Sequence, residues 1–165
     1  MNKIIQKMTL TGLLAAVTFL ATFYIRIDLS IGYLNLGDAF IIFAAVFIDP
    51  ISGGIVGLIG GTLADLLGGS SYAVYAPFTA VIKFAEGLIA GYLFRLLPKK
   101  INFFAFYIAG ITMALLYGLT NWLLWTWQGV PLYFLLDALQ GILGASVAII
   151  LLEVARRTHL MRADP

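Results

Sequence analysis

Apolar stretches, most of them close to membrane-crossing length, follow one another along almost the whole chain, with little polar sequence between them. They lie near Met8–Ile25, Leu36–Ile48, Ile51–Leu67, Pro77–Leu97, Phe103–Thr126 and Leu132–Ala155. A helix needs about 20 apolar residues to cross the hydrocarbon core. The expectation is one all-α domain over residues 1–165, an integral membrane bundle of six transmembrane helices. The second and third stretches are short, with only Asp49-Pro50 between them. They read either as two spans, the second extended by Ile31, Gly32, Tyr33 and Leu34, or as a re-entrant pair. Hydrophobic residues make up 62% of the chain and charged residues 11%. The charged share is less than half of the roughly 25% usual in soluble domains. A soluble chain this short could not hide so much apolar surface, so lipid is the expected solvent.

The absence of cysteine excludes disulfides, thiolate metal sites and cysteine nucleophiles. The single histidine, His159, lies in a polar tail and reads as solvated, because no second histidine or carboxylate cluster accompanies it. Lys3 and Lys7 precede the first stretch in the manner of a signal peptide. That stretch is too long for a typical signal core and lacks a small-residue cleavage site before Arg26, so it reads as a retained span.

Orientation follows from the basic residues. Lys3, Lys7, Arg95, Lys99, Lys100, Arg156, Arg157 and Arg162 all fall on one side of a six-span arrangement, which makes that side cytoplasmic. The same distribution fits four spans plus a re-entrant hairpin. The net charge of +2 is therefore a topology signal, and nucleic acid is not an expected partner. No Walker A loop is present, so the chain does not hydrolyse ATP through a P-loop. The longer connections, Arg26–Asn35, Gly68–Ala76 and Trp127–Pro131, fall on the outer side.

The placement of polar residues is the most informative pattern. Charged groups in a span are costly and usually face a cavity or a partner. Asp38, Asp65, Lys83, Glu86, Asn121, Asp137 and Gln140 come from five different spans yet share one depth, in the outer half. The inner half has almost nothing comparable. This predicts a polar cavity open to the outside above an apolar plug, hence a binder rather than a pore, which would need polar lining at every depth. Simpler roles stand beside this one. Asp38 and Asp65 suit helix ends at the water interface, Lys83 and Glu86 suit an internal i,i+3 ion pair, and Asn121 suits an interhelical hydrogen bond. Tyr72, Tyr75, Tyr117, Trp122, Trp125, Trp127 and Tyr133 cluster nearby. Most read as an interfacial belt, with Trp125 and Tyr75 the candidates to stack on a flat ring.

Small residues recur every four positions: Gly53, Gly57 and Gly61; Gly87 and Gly91; Gly110, Ala114 and Gly118; Gly141 and Ala145. Such stripes let helices approach closely in lipid. In the first span Thr9, Gly12 and Ala16, widened by Thr11 and Ala15, form a further small face, a candidate for docking another subunit.

Taken in order, Tyr33-Leu34-Asn35-Leu36-Gly37-Asp38, Asp49-Pro50-Ile51-Ser52-Gly53-Gly54 running to Ala64-Asp65-Leu66-Leu67, Tyr75-Ala76-Pro77-Phe78 and Lys83-Phe84-Ala85-Glu86-Gly87 carry a family likeness. With them the chain resembles the substrate-binding S components of energy-coupling factor (ECF) vitamin transporters over nearly its whole length. The resemblance implies a six-helix subunit in a prokaryotic cell membrane, both termini cytoplasmic, with no cofactor. It implies a vitamin bound near the outer face, and partnership with a transmembrane T component and two ATPase subunits. It further implies toppling in the membrane to release cargo inside, and docking through an A-x-x-x-A-like face, here Gly12-x-x-x-Ala16 beside Ala15. Leu36-Gly37-Asp38 and Lys83-x-x-Glu86-Gly87 look most like the members linked to hydroxymethylpyrimidine or pyridoxine. A carboxylate-rich cavity with one lysine suits a neutral or weakly basic ring better than a polyanion. The candidate binding residues are thus Asp38, Tyr75, Lys83, Glu86, Asn121, Trp125, Asp137 and Gln140. The competing readings are a self-sufficient secondary transporter or channel, for which inverted repeats or broken helices are missing, and a membrane enzyme, for which no nucleophile or metal spacing accompanies Glu86 and Asp137.

Overall fold

The computed structural model describes residues 2–29, 32–125 and 127–158. Ile31, Thr126, His159 and Arg162, which entered the sequence reading, lie outside the described residues. Helix α1 (Lys3–Phe23) leads into strands β1 (Arg26–Leu29) and β2 (Gly32–Asn35). There follow α2 (Gly37–Phe47), α3 (Pro50–Leu67), the single turn α4 (Ser70–Ala73), α5 (Ala76–Leu96), α6 (Phe104–Leu124), a 3-10 turn at Trp127–Gly129 and α7 (Val130–Arg157).

Five helical segments are long and apolar enough to cross a membrane: Lys3–Phe23, Pro50–Leu67, Ala76–Leu96, Phe104–Leu124 and Trp127–Arg157. The 21 residues of α1, α5 and α6 span about 31 Å at a rise of about 1.5 Å per residue. The 11 residues of α2 reach only about 16 Å. This short helix is nonetheless central: most of its residues are buried, and it packs against α1, α3, α5 and α7.

The expectation that residues 31–34 extend the second span is corrected for residues 32–34. They do not extend the second span; Gly32–Asn35 instead pairs antiparallel with Arg26–Leu29, setting Arg26 opposite Asn35 and Ile27 opposite Leu34. The reason is a period of two. Tyr33 and Asn35 both turn to the bundle, where they bond Asp65 and Gln140. Residues two apart share a face in a strand and not in a helix.

Local chemistry sets the helix starts. Asn2 caps α1 through the Ile4 amide, at 3.0 Å. Asp49 caps α3 through the Ser52 amide, at 3.0 Å, with Pro50 opening the helix. Asp49 also pairs with Lys7 at 2.8 Å, which ties α1 to the α2–α3 turn. Partial burial raises the affinity of Asp49 for a proton, but the bonds from Lys7 and Ser52 prevail and hold its carboxyl below the ordinary range.

Glycine makes the bundle tight. Gly87 of α5 lies directly against the backbone of Gly53 and Gly54 in α3. A Cβ on Gly110 of α6 would meet Gly141 of α7 at 2.9 Å. Below this the core is apolar, built from Ile42, Val46, Phe106, Leu152 and a set of alanines on α2, α5, α6 and α7. On α1 the small face divides. Thr11 and Ala15 turn into the bundle, whereas Gly12 and Ala16 are exposed, and a Cβ on Gly12 would meet nothing within 4 Å.

These contacts separate two kinds of glycine. Gly87→Ala is expected to lower stability by roughly 1–3 kcal/mol, the usual penalty of overpacking. Gly12→Ala is expected to leave stability unchanged or slightly raised. Thermal unfolding of both variants in the same detergent checks this; equal melting temperatures would contradict the close α3–α5 approach.

Candidate functional site

One end of the bundle, bordered by the hairpin and α4, holds a cavity of about 510 Å³. Its lining comes from α1, the hairpin, α3, α4, α5, α6 and α7. This volume lies within the range of pockets that hold small organic ligands.

Its floor is ionic. Lys83 of α5 places its ammonium between the carboxylates of Asp38 and Glu86, with Glu86 Oε2 at 3.0 Å. All three residues are buried. Asp38 reaches this depth because α7 carries Gly144 where α2 begins; a Cβ there would meet Asp38 Cβ at 2.7 Å. The other Asp38 oxygen accepts from Gln140 Nε2 at 3.0 Å. Gln140 Oε1 in turn accepts from the Asn35 side chain at 2.9 Å and the Asn35 amide at 3.2 Å. Glu86 Oε1 is buried without a hydrogen-bond partner.

A second network forms one wall. Tyr33 donates to Asp65 Oδ1 at 2.7 Å, Thr79 donates to Asp65 Oδ2, and Tyr117 donates to Thr79 at 2.9 Å. Burial, and then the Asp65 charge, push the Tyr33 hydroxyl well above the ordinary tyrosine range, so it remains a donor. Tyr33 also meets Tyr72 edge to face, ring centres 5.0 Å apart. Arg26 lies within 5.3–5.5 Å of the Phe23, Tyr33 and Tyr72 rings.

The rim is a third network. Trp125 Nε1 donates to Tyr75 at 2.7 Å, and Tyr75 donates to Asn121 Oδ1 at 2.6 Å. Trp125 as a residue stays 58% exposed, and it lines the cavity, so it has area to offer a ligand. On α7, Tyr133, Asp137 and Gln140 are spaced i, i+4, i+7 and all line the cavity.

Comparison with known proteins places this architecture. Residues 2–157 match the family described as "ECF-type riboflavin transporter, S component". The chain belongs to that family. A Pyrococcus woesei protein described as "Uncharacterized protein in gap 3'region" is 36% identical over 127 residues, covering 73% of this chain and 80% of its own length. The S component family comprises substrate-binding transporter subunits rather than enzymes, so this chain is a membrane subunit that binds a vitamin.

Of the eight candidate residues, Tyr75, Lys83, Asn121, Trp125, Asp137 and Gln140 line the cavity of this S component. Asp38 and Glu86 lie behind its floor and reach it only through Lys83 and Gln140. Asp65, placed in the predicted polar layer with a helix-end role as the alternative, also lines it, as do Tyr72, Tyr117 and Tyr133, which read mostly as an interfacial belt. Thr22, Tyr33, Asn35 and Thr79 line it and were absent from the candidate set. Thr79 carried a usable signal, because it stands one turn before Lys83 on the same face of α5. Tyr33 and Asn35 carried theirs in the alternation of a strand.

Gln140 joins the hairpin to α2 and α7. Gln140→Leu strips buried Asn35 and Asp38 of a partner and is expected to lower stability by roughly 1–3 kcal/mol. It should also speed amide exchange across residues 32–35, read by hydrogen–deuterium exchange. Unchanged exchange there would show that the hairpin is held by other contacts.

Proposed function

We propose that this chain is the S component of an ATP-driven importer and takes up one flat heteroaromatic vitamin, or a precursor of one, from the outside. The observation that carries the proposal is the cavity itself. Aromatic side chains and hydrogen-bonding groups from both ends of the sequence converge on it, while an apolar core lies beneath. Such a chamber captures a solute and has no polar path to the other side. Tyr75 and Trp125 would face the ring, and Lys83, Asn121, Asp137 and Gln140 would meet its polar groups, with Asp38 and Glu86 holding Lys83 in place.

The leading ligands are hydroxymethylpyrimidine and pyridoxine, as the sequence resemblance implies. Riboflavin, which the family description names, is the larger candidate, and the cavity volume also suits it. The T component and two ATPase subunits would supply energy, and the exposed Gly12 and Ala16 would form the docking face. In this arrangement α2 is the sixth membrane helix. The lysine- and arginine-bearing helix ends, with both termini, face the cytoplasm by the positive-inside rule, and the cavity faces outward.

Calorimetric titration of the purified subunit with hydroxymethylpyrimidine, pyridoxine and riboflavin tests the proposal. One of them is expected to bind at a single site, with Trp125→Ala weakening it roughly three- to tenfold through lost ring contact. Failure of all three to bind would refute the ligand class. Ala16→Leu is expected to leave binding intact and abolish uptake by cells that carry the partner subunits. For orientation, the cysteine-free chain offers a clean background. Ser70→Cys should react with an impermeant reagent from outside the cell and Lys100→Cys only after permeabilisation; the reverse pattern would invert the topology.

A further inference from the structure

Most polar atoms around the cavity are already engaged by the protein. Both Asp65 oxygens accept hydroxyl protons, from Tyr33 and Thr79. Both Asp38 oxygens are taken, by Lys83 and Gln140. Asp137 differs. It lines the cavity, yet among the described residues it makes no hydrogen bond and no ion pair. Tyr133, one turn earlier on the same face of α7, lines the cavity with its hydroxyl equally uncommitted. These two groups stand on a rigid 28-residue helix rather than on a loop. A half-buried carboxylate without a partner is unfavourable in a membrane chamber unless a ligand supplies the missing donor.

The cation available there is also committed. Lys83 is the lysine or arginine among the described lining residues, and it is shared between two carboxylates. The lining thus has an acceptor to offer and no uncommitted positive charge from Lys83.

We propose that Asp137, assisted by Tyr133, is the specificity determinant of the cavity. It selects a ring carrying a basic nitrogen, an aminopyrimidine or a pyridine, and rejects the phosphate ester of the same molecule. This rests on the function proposed above and narrows its ligand class. The ring nitrogen in its protonated form, or the amino group beside it, donates to the Asp137 carboxylate, and the Tyr133 hydroxyl donates to a ring substituent. A phosphate in the same chamber would meet Asp65 and Asp137 without a free counter-charge from Lys83, and like charges brought together in a poorly solvated space repel strongly.

The test is equilibrium binding to the purified full chain. The probes are hydroxymethylpyrimidine, pyridoxine, their phosphate esters, and a nitrogen-free benzene analogue of pyridoxine. Wild type is expected to bind at least one of the two bases more than tenfold tighter than its ester, and to bind pyridoxine about tenfold tighter than the benzene analogue. Asp137→Asn should weaken the bases about tenfold or more and collapse both preferences, whereas Tyr133→Phe should weaken binding and leave the preference against phosphate. Loss of both preferences in Asp137→Asn, with an unchanged elution profile, is an effect that a merely structural role would not produce. Equal binding of base and ester by wild type overturns the proposal without needing any variant. Preferences that survive in Asp137→Asn, or tightest binding of riboflavin, overturn it and leave the importer function standing. Binding of none of the probes or of riboflavin overturns both.

Discussion

The buried charge of Lys83 constrains the rest of this molecule. A lysine or aspartate near the centre of a membrane helix is unfavourable by about 2.5–3.5 kcal/mol on insertion scales, and partners must be found inside the bundle. Glu86 supplies one from the same helix, and Asp38 supplies the other from α2. The Asp38 carboxylate then needs its second oxygen satisfied, which Gln140 of α7 does, and Gln140 needs a donor, which Asn35 of the hairpin provides. Each group therefore calls for the next. The result joins α5, α2, α7 and β2 in one bonded chain and explains why an 11-residue helix sits at the centre of a bundle of longer ones.

Such a chain of bonds forms only if the backbones come close. Lipid offers no hydrophobic drive between helices, so approach depends on small residues and van der Waals contact. The Gly53–Gly87 contact brings α3 and α5 together, and Gly144 admits Asp38 against α7. The same residues that look like a featureless small-residue background in sequence thus set the depth of the ionic floor. Packing and polar satisfaction are two sides of one requirement here: a bulkier side chain at Gly144 would displace Asp38 and leave Lys83 short of a partner.

The membrane character, the approximate place of each apolar helix and the gathering of polar residues at one depth were legible in sequence, because hydropathy and charge depth are one-dimensional signals. Lys83 and Glu86 were readable as a pair from their spacing. The triad with Asp38 was not, because it joins residues 45 apart in the chain. Nor was the separation between residues that line the cavity and residues that stand behind it, since rotation about a helix axis is set by packing. The hairpin was missed because Gly32–Asn35 lies next to an apolar helix and only four residues carry its alternation. The aromatic residues were the hardest. A tyrosine at the membrane interface and a tyrosine in a binding wall have the same sequence context, and only a bond such as that from Tyr117 to Thr79 distinguishes them.

The division of the bundle into a polar chamber at one end and an apolar base bears on how a binder works in lipid. Every group committed to its neighbours before a ligand arrives is held in place without further loss of freedom, which favours tight and selective capture. The three networks at floor, wall and rim are fixed in this sense, and they tie both the hairpin and the Trp125 segment to the helices. Among the described lining residues they leave uncommitted the hydroxyls of Thr22, Ser71, Tyr72 and Tyr133, the Trp125 ring and, alone among the charged groups, the Asp137 carboxylate. A chamber whose floor, wall and rim are fixed in advance reads its ligand through the atoms left open. The identity of the vitamin is therefore written less in the number of polar residues around the cavity than in the few that the protein has not already used.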